Sequence, residues 1–271
     1  MTEVQEKLLD MLVWFDGFCR ENGLRYYALG GTLLGAVRHG GFIPWDDDVD
    51  VGMPRKDYER LARLMGREIR GGYVLETEDS DDPKYCYPFS KLYDTSTTLT
   101  ERVRTGLRRG IFLDVFPLDG LGNGREPDWG WYHRIQRRYK FYLARITSVR
   151  EGRSFLKNLA VLLTGLIPDR IADDPALRRK ISRMGTKYGF DESEWVGTMT
   201  EDLGDTGIVR RSRFGTPTDY PFEGHMILGA EHAEEFLTEL FGDWRQLPPE
   251  DQRVTNHDFI ECDLHKSYLE E

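Results

Sequence analysis

The chain has 271 residues, of which 39% are hydrophobic and 12% aromatic, and this is enough to bury a substantial core in one large domain or two smaller ones. Its formal net charge of −10 argues against general nucleic-acid binding, which needs a basic surface. We therefore expect no nucleic-acid partner.

The cysteines and the N-terminus indicate the compartment. Cys19, Cys86 and Cys262 are far apart and form no CxxC pair, which is typical of a reducing environment rather than of a disulfide scaffold. The first residues, MTEVQEKLLDML, are acidic and polar and lack the pattern of a signal peptide. The longest apolar-rich run, 155–168, is shorter than the ~20 residues that a membrane-spanning helix needs. We expect a cytoplasmic protein, with the inner membrane face as the place of any membrane contact.

Helices and strands alternate through the first part of the chain. The periodicity predicts helices over 3–21, 32–39 and 55–69, and strands over 25–29, 48–53, 72–77, 87–93 and 110–118. Thr32 is the predicted cap of the second helix, and Pro54 ends a strand and opens the third helix. This alternation is typical of an α/β or α+β layer fold.

The rest of the chain is first helical and basic and then mixed, with a strand at 194–199 and a helix at 231–242. The Gly-rich stretch LDGLGNGREP marks the first boundary. We therefore predict a catalytic core over 1–122, a basic helical region over 123–190 and a C-terminal mixed region over 191–271 that packs on the core. The helices can equally be an insertion in one single domain.

The stretch GGFIPWDDDVDVGMP, residues 40–54, crowds four carboxylates into five positions beside apolar residues. Because side chains alternate between the two faces of a strand, Asp48 and Asp50 point one way and the valine between them the other. Without a cation, two carboxylates on one face repel each other, and at least one pKa rises. With Mg²⁺ or Mn²⁺ they form part of the oxygen shell that these ions take beside substrate phosphates.

Two other interpretations apply to the same acids. The pattern D-x-D-x-D resembles a calcium loop, but the sixth and twelfth positions, Val51 and Asp57, are not the Gly and Glu that this loop needs. The calcium loop is therefore excluded. A solvated acidic turn without a bound cation stays open.

A third acid strengthens the metal hypothesis. Asp114 is a lone charge within the apolar strand GIFLDVFPL, where a buried carboxylate without a partner is costly. A neighbouring metal site explains it, and so does a salt bridge to one of the arginines.

The turn Gly30-Gly31-Thr32 precedes a predicted helix, and backbone N–H groups at a helix N-terminus bind phosphate readily. A Gly-Gly pair alone is a weak signal. Its place in the chain carries more weight, because the D-V-D strand and a third Asp on a later strand follow it.

This order resembles the nucleotidyltransferase superfamily, in which a helix-opening Gly-Gly pair, a D-h-D strand and a third carboxylate follow one another. More narrowly, ALGGTLLGAVRHGGFIPWDDDVDVGMPRKDY is similar to the LicD family of choline phosphotransferases, which fukutin and fukutin-related protein resemble. YPFSKLYDTSTT, GIFLDVFPLDG and FGDWRQLPPEDQR are similar to further blocks of that family. The resemblance implies an α+β fold with a nucleotidyltransferase-like mixed sheet core, flanking helices and a helical, basic insertion or second half.

The resemblance also implies an activity and its catalytic residues. It implies transfer of a substituted phosphate, most often phosphocholine from CDP-choline, to a hydroxyl of a surface glycan or its lipid-linked precursor, with release of CMP. Asp48 and Asp50 are then expected to hold Mg²⁺ or Mn²⁺, and Asp114 to complete the metal shell or to act as the base. Asp46 is a further candidate for either role.

Other residues of the same blocks are expected to bind the donor. Gly30, Gly31 and Thr32 would face its phosphate, and Arg38 and Lys91 would neutralise its diphosphate. Each cation has an alternative interpretation. Arg38 could be a surface helix residue, and Lys91 could project to water from a strand edge.

Three functional classes stay open. The first is the phosphotransferase with a CDP-linked alcohol as donor, whose head group could be choline, ribitol, glycerol or ethanolamine. The second is a nucleotidyltransferase that attacks the α-phosphorus of a nucleoside triphosphate and releases pyrophosphate. The third is a non-catalytic glycan-binding protein on the same fold, against which the intact D-V-D strand and Asp114 argue.

Two further features have less specific interpretations. Residues 131–157 carry eight cations against a single Glu and lead into an apolar run, so region 131–167 is a candidate for contact with an anionic membrane surface. A helix that packs its aromatics inward and solvates its charges is the alternative. His257, Cys262 and His265 have spacings that could bind zinc, although no second Cys completes a familiar ligand set.

Overall fold

The computed structural model describes residues 1–149, 154–168, 174–201, 204–255 and 259–270. Its helices are α1 (Glu3–Glu21), α2 (Gly30–His39), α3 (Arg55–Met65), α4 (Trp129–Ile146), α5 (Phe155–Gly165), α6 (Asp174–Gly185), α7 (Arg211–Phe214) and α8 (Ala233–Phe241), with short 3₁₀ helices at Gly204–Gly207 and Glu250–Gln252. Its strands are β1 (Tyr27–Ala28), β2 (Asp50–Pro54), β3 (Tyr73–Glu76), β4 (Ser90–Asp94), β5 (Thr98–Glu101), β6 (Arg108–Arg109), β7 (Phe112–Gly120), β8 (Trp195–Thr198), β9 (Ile208–Arg210), β10 (Thr218–Phe222), β11 (His225–Gly229) and β12 (Phe259–Asp263).

The core of the described part of the chain is a mixed sheet of seven strands. Five of them lie in the order β1-β2-β7-β4-β3, and β8 pairs with β7 on one side and with β9 on the other. β2 and β7 run parallel, and the other pairs of this sheet are antiparallel. The predicted α+β fold, with a mixed sheet core and flanking helices, is confirmed.

Helix α1 packs its apolar stripe against β7 and β11. Leu8, Leu12 and Phe15 recur at helical spacing and are buried, as the periodicity predicts. A capping box starts the helix, in which the Thr2 hydroxyl accepts from the N–H of Gln5 and the Gln5 side chain accepts from the N–H of Thr2.

The basic helical region lies between β7 and β8 along the chain. Its helices α4 and α6 share a second hydrophobic cluster, to which α4 contributes Tyr132, Ile135, Tyr139 and Tyr142. Because β8 pairs with β7, strands from both sides of the helical region share one sheet. The division at 122 and 190 stays a prediction. No helix in the described ranges is both long and apolar enough to cross a membrane.

Two smaller sheets lie beside the main sheet. β12 pairs with β5, which pairs with β6, so the C-terminal segment returns to the first part of the chain. β10 and β11 form a hairpin whose two-residue loop, Glu223-Gly224, has positive φ at both positions. The sequence did not predict β5, β6, β9 or β10–β12.

Three predicted boundaries in and around the acidic stretch are wrong. The strand expected over 48–53 begins only at Asp50, so Asp48 lies in the loop before β2. Thr32 is not the helix cap, because α2 already begins at Gly30 with Leu29 as its N-cap. The helix predicted over 55–69 is α3, which ends at Met65. The next residue is Gly66, which has a φ of 59°.

Candidate active site

A row of charged side chains crosses the central sheet. Asp50 at the start of β2 stands opposite Asp114 of its parallel neighbour β7, and Asp114 stands opposite Lys91 of the antiparallel β4. Residues in register on neighbouring strands lie on the same face of a sheet. The fold therefore brings together two acids and a cation that lie in separate blocks of the sequence.

Lys91 is buried between two carboxylates. Its residue surface is 2% exposed, and its Nζ lies 3.1 Å from Asp114 Oδ1 and 3.3 Å from Glu101 Oε2. Burial lowers the pKa of a lysine, but the charges of Asp114 and Glu101 outweigh it and raise the pKa of Lys91. The interpretation that Lys91 projects to water is wrong. Asp114 does form a salt bridge, which was one of the two explanations for a charge in this apolar strand, but its partner is Lys91 and not an arginine.

The loop over 40–49 carries the other acids, and contacts from two distant elements hold it. Gln5 of α1 donates from Nε2 to the carbonyl oxygen of Asp46 at 2.9 Å. Glu223, in the β10–β11 turn, accepts a hydrogen bond from the N–H of Phe42 at 3.0 Å. The loop is therefore fixed by the surrounding fold and is not a freely solvated turn.

The N-terminus of α2 faces these acids. A Cβ on Gly31 would lie 2.5 Å from Asp46 Oδ2, and a Cβ on Gly30 would lie 3.6 Å from Asp50 Oδ2. The Thr32 hydroxyl accepts a hydrogen bond from the N–H of Asp50 at 2.9 Å and thereby connects the helix to the start of β2. The two glycines let the helix terminus approach both carboxylates closely, and the positive end of the helix dipole favours their negative charge.

Burial and neighbouring charges raise the pKa of Asp50 and Asp114. The pKa of Asp50 lies well above its usual value, and the causes are burial and the charges of nearby carboxylates: Asp48, Asp114, Glu201 and Asp46. Burial raises the pKa of Asp114 to about 6, although the charge of Lys91 works in the opposite direction. Full ionisation of this cluster is unfavourable, and a bound cation would relieve the repulsion.

The sequence did not single out Glu201, which belongs to this cluster. Its Oε2 accepts a hydrogen bond from the Thr198 hydroxyl at 2.8 Å. Burial, together with the charges of Asp114 and Asp48, raises the pKa of Glu201 to about 7, although the hydrogen bond from Thr198 lowers it. No local pattern marks Glu201. It reaches the cluster because β8, which ends just before it, pairs with β7 through Thr198 and Leu118.

Parts of the sequence match known proteins. Residues 23–142 match a family model described as LicD/FKTN/FKRP, nucleotidyltransferase domain. The chain contains a LicD-family domain. This LicD-family domain begins before β1 and ends within α4, so it includes α2, β2, β4 and β7, whereas Glu201 lies outside it.

Individual relatives support the LicD assignment. The chain is 28% identical over 265 residues to the lipopolysaccharide cholinephosphotransferase LicD of Haemophilus influenzae, covering 95% of this chain and 96% of that protein. It is 48% identical over 52 residues to the ribitol 5-phosphate transferase FKRP of mouse and of human, covering 19% of this chain and 10% of FKRP. It is 29% identical over 116 residues to the mannosyltransferase regulator 4 of Saccharomyces cerevisiae, covering 42% of this chain and 9% of that protein.

Within the LicD-family domain, the structure separates Arg38 from the acids. Arg38 lies in the last turn of α2, roughly 10 Å along the helix axis from Gly31. Its Nη1 donates to the carbonyl oxygen of Trp244 at 2.7 Å, and its Nε lies 3.0 Å from Nε2 of His39. The role of Arg38 in neutralising a diphosphate stays a prediction, and its position does not support that role.

The zinc hypothesis concerns residues outside the LicD-family domain. His257 lies outside the described residues. Cys262 is exposed on β12, and Nε2 of His265 lies 3.0 Å from Oε1 of Glu3. The zinc site therefore stays a prediction.

The acid cluster fits Mg²⁺ or Mn²⁺ in the type of its ligands. Its donors are carboxylate oxygens, which these hard ions prefer, and burial together with the neighbouring carboxylates raises the pKa of Asp50, so a bound cation would relieve an unfavourable negative charge. Among the described residues, no three acidic, His or Cys side chains stand in an arrangement that could already hold a metal ion.

Proposed function

We propose that this chain is a metal-dependent phosphotransferase that moves a substituted phosphate from a CDP-linked alcohol to a hydroxyl of a surface glycan or its lipid-linked precursor, releasing CMP. The observation that carries the proposal is the pairing of Asp50 with Asp114 in one row beside the N-terminus of α2. The likeness of nearly the whole chain to a lipopolysaccharide cholinephosphotransferase supports phosphocholine as the first candidate group. The likeness to a ribitol 5-phosphate transferase keeps ribitol phosphate as the second.

The reaction is a displacement at phosphorus. The acceptor hydroxyl oxygen attacks the β-phosphorus of the donor, the bond from that phosphorus to the bridging oxygen breaks, and CMP leaves with the electron pair. Phosphoryl transfer needs little covalent help from a protein, but it needs in-line positioning and neutralisation of the charge on the phosphate oxygens.

The proposed binding groups lie on both sides of the acid loop. Asp48 and Asp50, with Asp114 or Asp46 as a further ligand, would hold Mg²⁺ or Mn²⁺, which supplies positive charge to the donor phosphates when it is bound. The first backbone N–H groups of a helix have no partner within the helix. The N–H of Gly31, in the first turn of α2, can therefore donate to a phosphate oxygen.

The hydroxyl proton needs an acceptor near the attacking oxygen. Asp114 and Glu201 are the two candidates, because the pKa of Asp114 is raised to about 6 and that of Glu201 to about 7. A base whose pKa lies near the working pH transfers a proton most effectively. Lys91 keeps a positive charge 3.1 Å from Asp114 and so favours the ionised form that can accept the proton.

Product analysis tests the proposal. The full chain is incubated with Mg²⁺ and each of CDP-choline, CDP-ribitol, CDP-glycerol and CDP-ethanolamine, and the released nucleotide is measured by chromatography. The proposal predicts CMP from one CDP-alcohol, with loss of release in EDTA and in Asp50→Asn. Pyrophosphate released from a nucleoside triphosphate would instead identify a nucleotidyltransferase. Glycan binding without any nucleotide turnover would identify a non-catalytic binding protein.

A further inference from the structure

Helix α5 exposes almost all of its large apolar side chains. Between 36% and 78% of the surface is exposed for each member of this stripe: Phe155, Leu156, Leu159, Leu162, Leu163 and, directly after the helix, Leu166. At about 100° per residue, the six positions fall within roughly a third of the helix circumference. Val161, which is buried, lies on the opposite side. A contiguous apolar stripe of this kind marks an interaction surface.

Polar contacts fix the opposite side of α5 to the protein. Arg104 donates from Nη2 to the carbonyl oxygen of Val161 at 2.7 Å. Arg145 donates from Nη1 to the carbonyl oxygen of Thr164 at 3.0 Å, and the Thr164 hydroxyl oxygen lies 3.0 Å from the carbonyl oxygen of Ala144. These contacts hold the helix with its apolar stripe directed away from the protein.

The two helices α4 and α5, which pack on each other, are basic although the whole chain is acidic. Neither α4 nor α5 contains an Asp or Glu, whereas the chain has a net charge of −10. α4 packs its tyrosines inward, as one sequence interpretation expected, and exposes Arg134, Arg137 and Lys140. Arg145, also counted among the cations of this region, is buried and paired with Asp174.

We propose that the α5 stripe binds a membrane surface that contains anionic lipid. A helix of 11 residues is too short to cross a bilayer, but it can lie in the interface with its apolar side chains among the acyl chains and neighbouring cations at the headgroups. A second copy of the chain fits less well, because a symmetric contact between two α5 stripes would also bring the two basic α4 helices, each packed on its own α5, closer to each other.

One segment of the chain, around β5, connects α5 with the acid cluster. Arg104, which holds α5 at Val161, follows β5, and the last residue of β5 is Glu101. Glu101 pairs with Lys91, which pairs with Asp114. A lipid-linked acceptor would lie in the same membrane, so binding through α5 would bring the protein to the surface that holds this acceptor. This consequence rests on the proposed function, whereas the binding itself does not.

Vesicle sedimentation tests the inference with the full chain. One set of vesicles is pure phosphatidylcholine, and the other contains about one third phosphatidylglycerol, an anionic lipid. The test variant carries Leu162→Gln, Leu163→Gln and Leu166→Gln. The matched control carries Met226→Gln, Ile260→Gln and Leu269→Gln, which replace apolar residues of similar exposure elsewhere. A third variant carries Arg134→Gln, Arg137→Gln and Lys140→Gln.

We expect the wild type and the matched control to bind the anionic vesicles alike, and the α5 variant to bind them about tenfold more weakly or worse. The α4 variant should lose its preference for anionic over neutral vesicles. Equal loss in the matched control, or no vesicle binding by the wild type, would overturn the inference. So would a wild-type dimer in ultracentrifugation that binds no vesicles and that the α5 variant converts to a monomer, because the second copy would then cover the stripe.

Binding of CDP-alcohols, measured on the same preparations, separates the two proposals. Donor binding without vesicle binding overturns the membrane inference alone. Vesicle binding without donor binding overturns the proposed function alone.

Discussion

Lys91 Nζ lies 3.1 Å from Asp114 Oδ1. The two residues stand opposite each other on the antiparallel strands β4 and β7, and Lys91 is only 2% exposed. The ion pair explains how the sheet tolerates Asp114 at its centre, since an isolated buried carboxylate would be costly. It also keeps a positive charge next to the acid cluster, where the proposed donor would bring its phosphates.

Lys91→Met should destabilise the protein, because it leaves Asp114 and Glu101 buried without their cation. Removal of one partner of a buried ion pair costs about 3–5 kcal/mol, and we expect a loss of this size in urea unfolding at pH 8. The loss should be smaller at pH 5, because Asp114, with its pKa raised to about 6, is then protonated. Lys56→Met is the matched control, since Lys56 pairs with Glu192 on the exposed surface. Unchanged stability of Lys91→Met at pH 8 would contradict the structural role of the pair.

The pKa of Glu201 predicts a pH-dependent penalty on the fold. Between pH 4.5 and about 7 the unfolded chain loses the Glu201 proton while the folded chain keeps it, so the free energy of unfolding falls as the pH rises through this window. Glu201→Gln should therefore be more stable than the wild type at pH 8 in metal-free buffer, by up to roughly 3 kcal/mol, and the gap should close toward pH 4.5.

Thermal unfolding of both proteins between pH 4.5 and 8 measures this gap. Glu192→Gln serves as the control, because the pKa of Glu192 is lowered by its hydrogen bond to Lys56 and its effect has the opposite sign. A gap between Glu201→Gln and the wild type that does not change with pH would show that Glu201 does not titrate as its burial predicts.

Asp50→Asn should stabilise the metal-free protein and abolish turnover. The amide removes a buried charge that Asp48, Asp114 and other carboxylates oppose, so the melting temperature at pH 8 should rise. CMP release should fall about a hundredfold or more, because a charged metal ligand is lost. Asp81→Asn is the control and should leave both quantities nearly unchanged, since Asp81 pairs with Arg67 on the exposed surface. Retained turnover in Asp50→Asn would remove Asp50 from the metal site.

Gly31→Ala should weaken turnover while leaving the fold intact. The added Cβ would stand 2.5 Å from Asp46 Oδ2, and the carboxylate at the end of that side chain can move away. A shift of about 1 Å in a site of this kind can cost on the order of a hundredfold in rate. Gly17→Ala in α1 is the matched control, because a Cβ there meets no atom within 4 Å. Normal kcat/KM with a normal melting temperature in Gly31→Ala would show that this close approach is not needed.

Local sequence patterns predicted the parts of the site that lie on regular elements. The D-V-D alternation located Asp50 on β2, and the lone charge in GIFLDVFPL located Asp114 on β7. The same alternation predicted too long a strand, because Asp48 lies in the loop before β2. Gln5 and Glu223 form hydrogen bonds with other residues of this loop. A period of two in the sequence does not show where pairing with a neighbouring strand begins.

The missed features depend on contacts between distant segments. Glu201 joins the cluster only through the pairing of β8 with β7, which no pattern near Glu201 reveals. The β10–β11 hairpin turns at Glu223-Gly224, although Asn or Asp is the usual residue at the first of these left-handed positions, so the hairpin signal was weak. Lys91 was assigned to the site, but its burial follows from Asp114 and Glu101, which lie in other strands.

Calorimetric titration of donor binding shows whether the acid cluster is a cation site for a phosphate donor. CDP-choline, CDP-ribitol, CDP-glycerol and CMP are each titrated into the wild type and Asp48→Ala, with Mg²⁺ and with EDTA. We expect one CDP-alcohol to bind the wild type in Mg²⁺, and EDTA and Asp48→Ala each to abolish this binding. If no nucleotide binds under any condition, or if binding is equally strong in EDTA and in Asp48→Ala, the acid cluster is not a cation site for a phosphate donor and the proposed function is wrong.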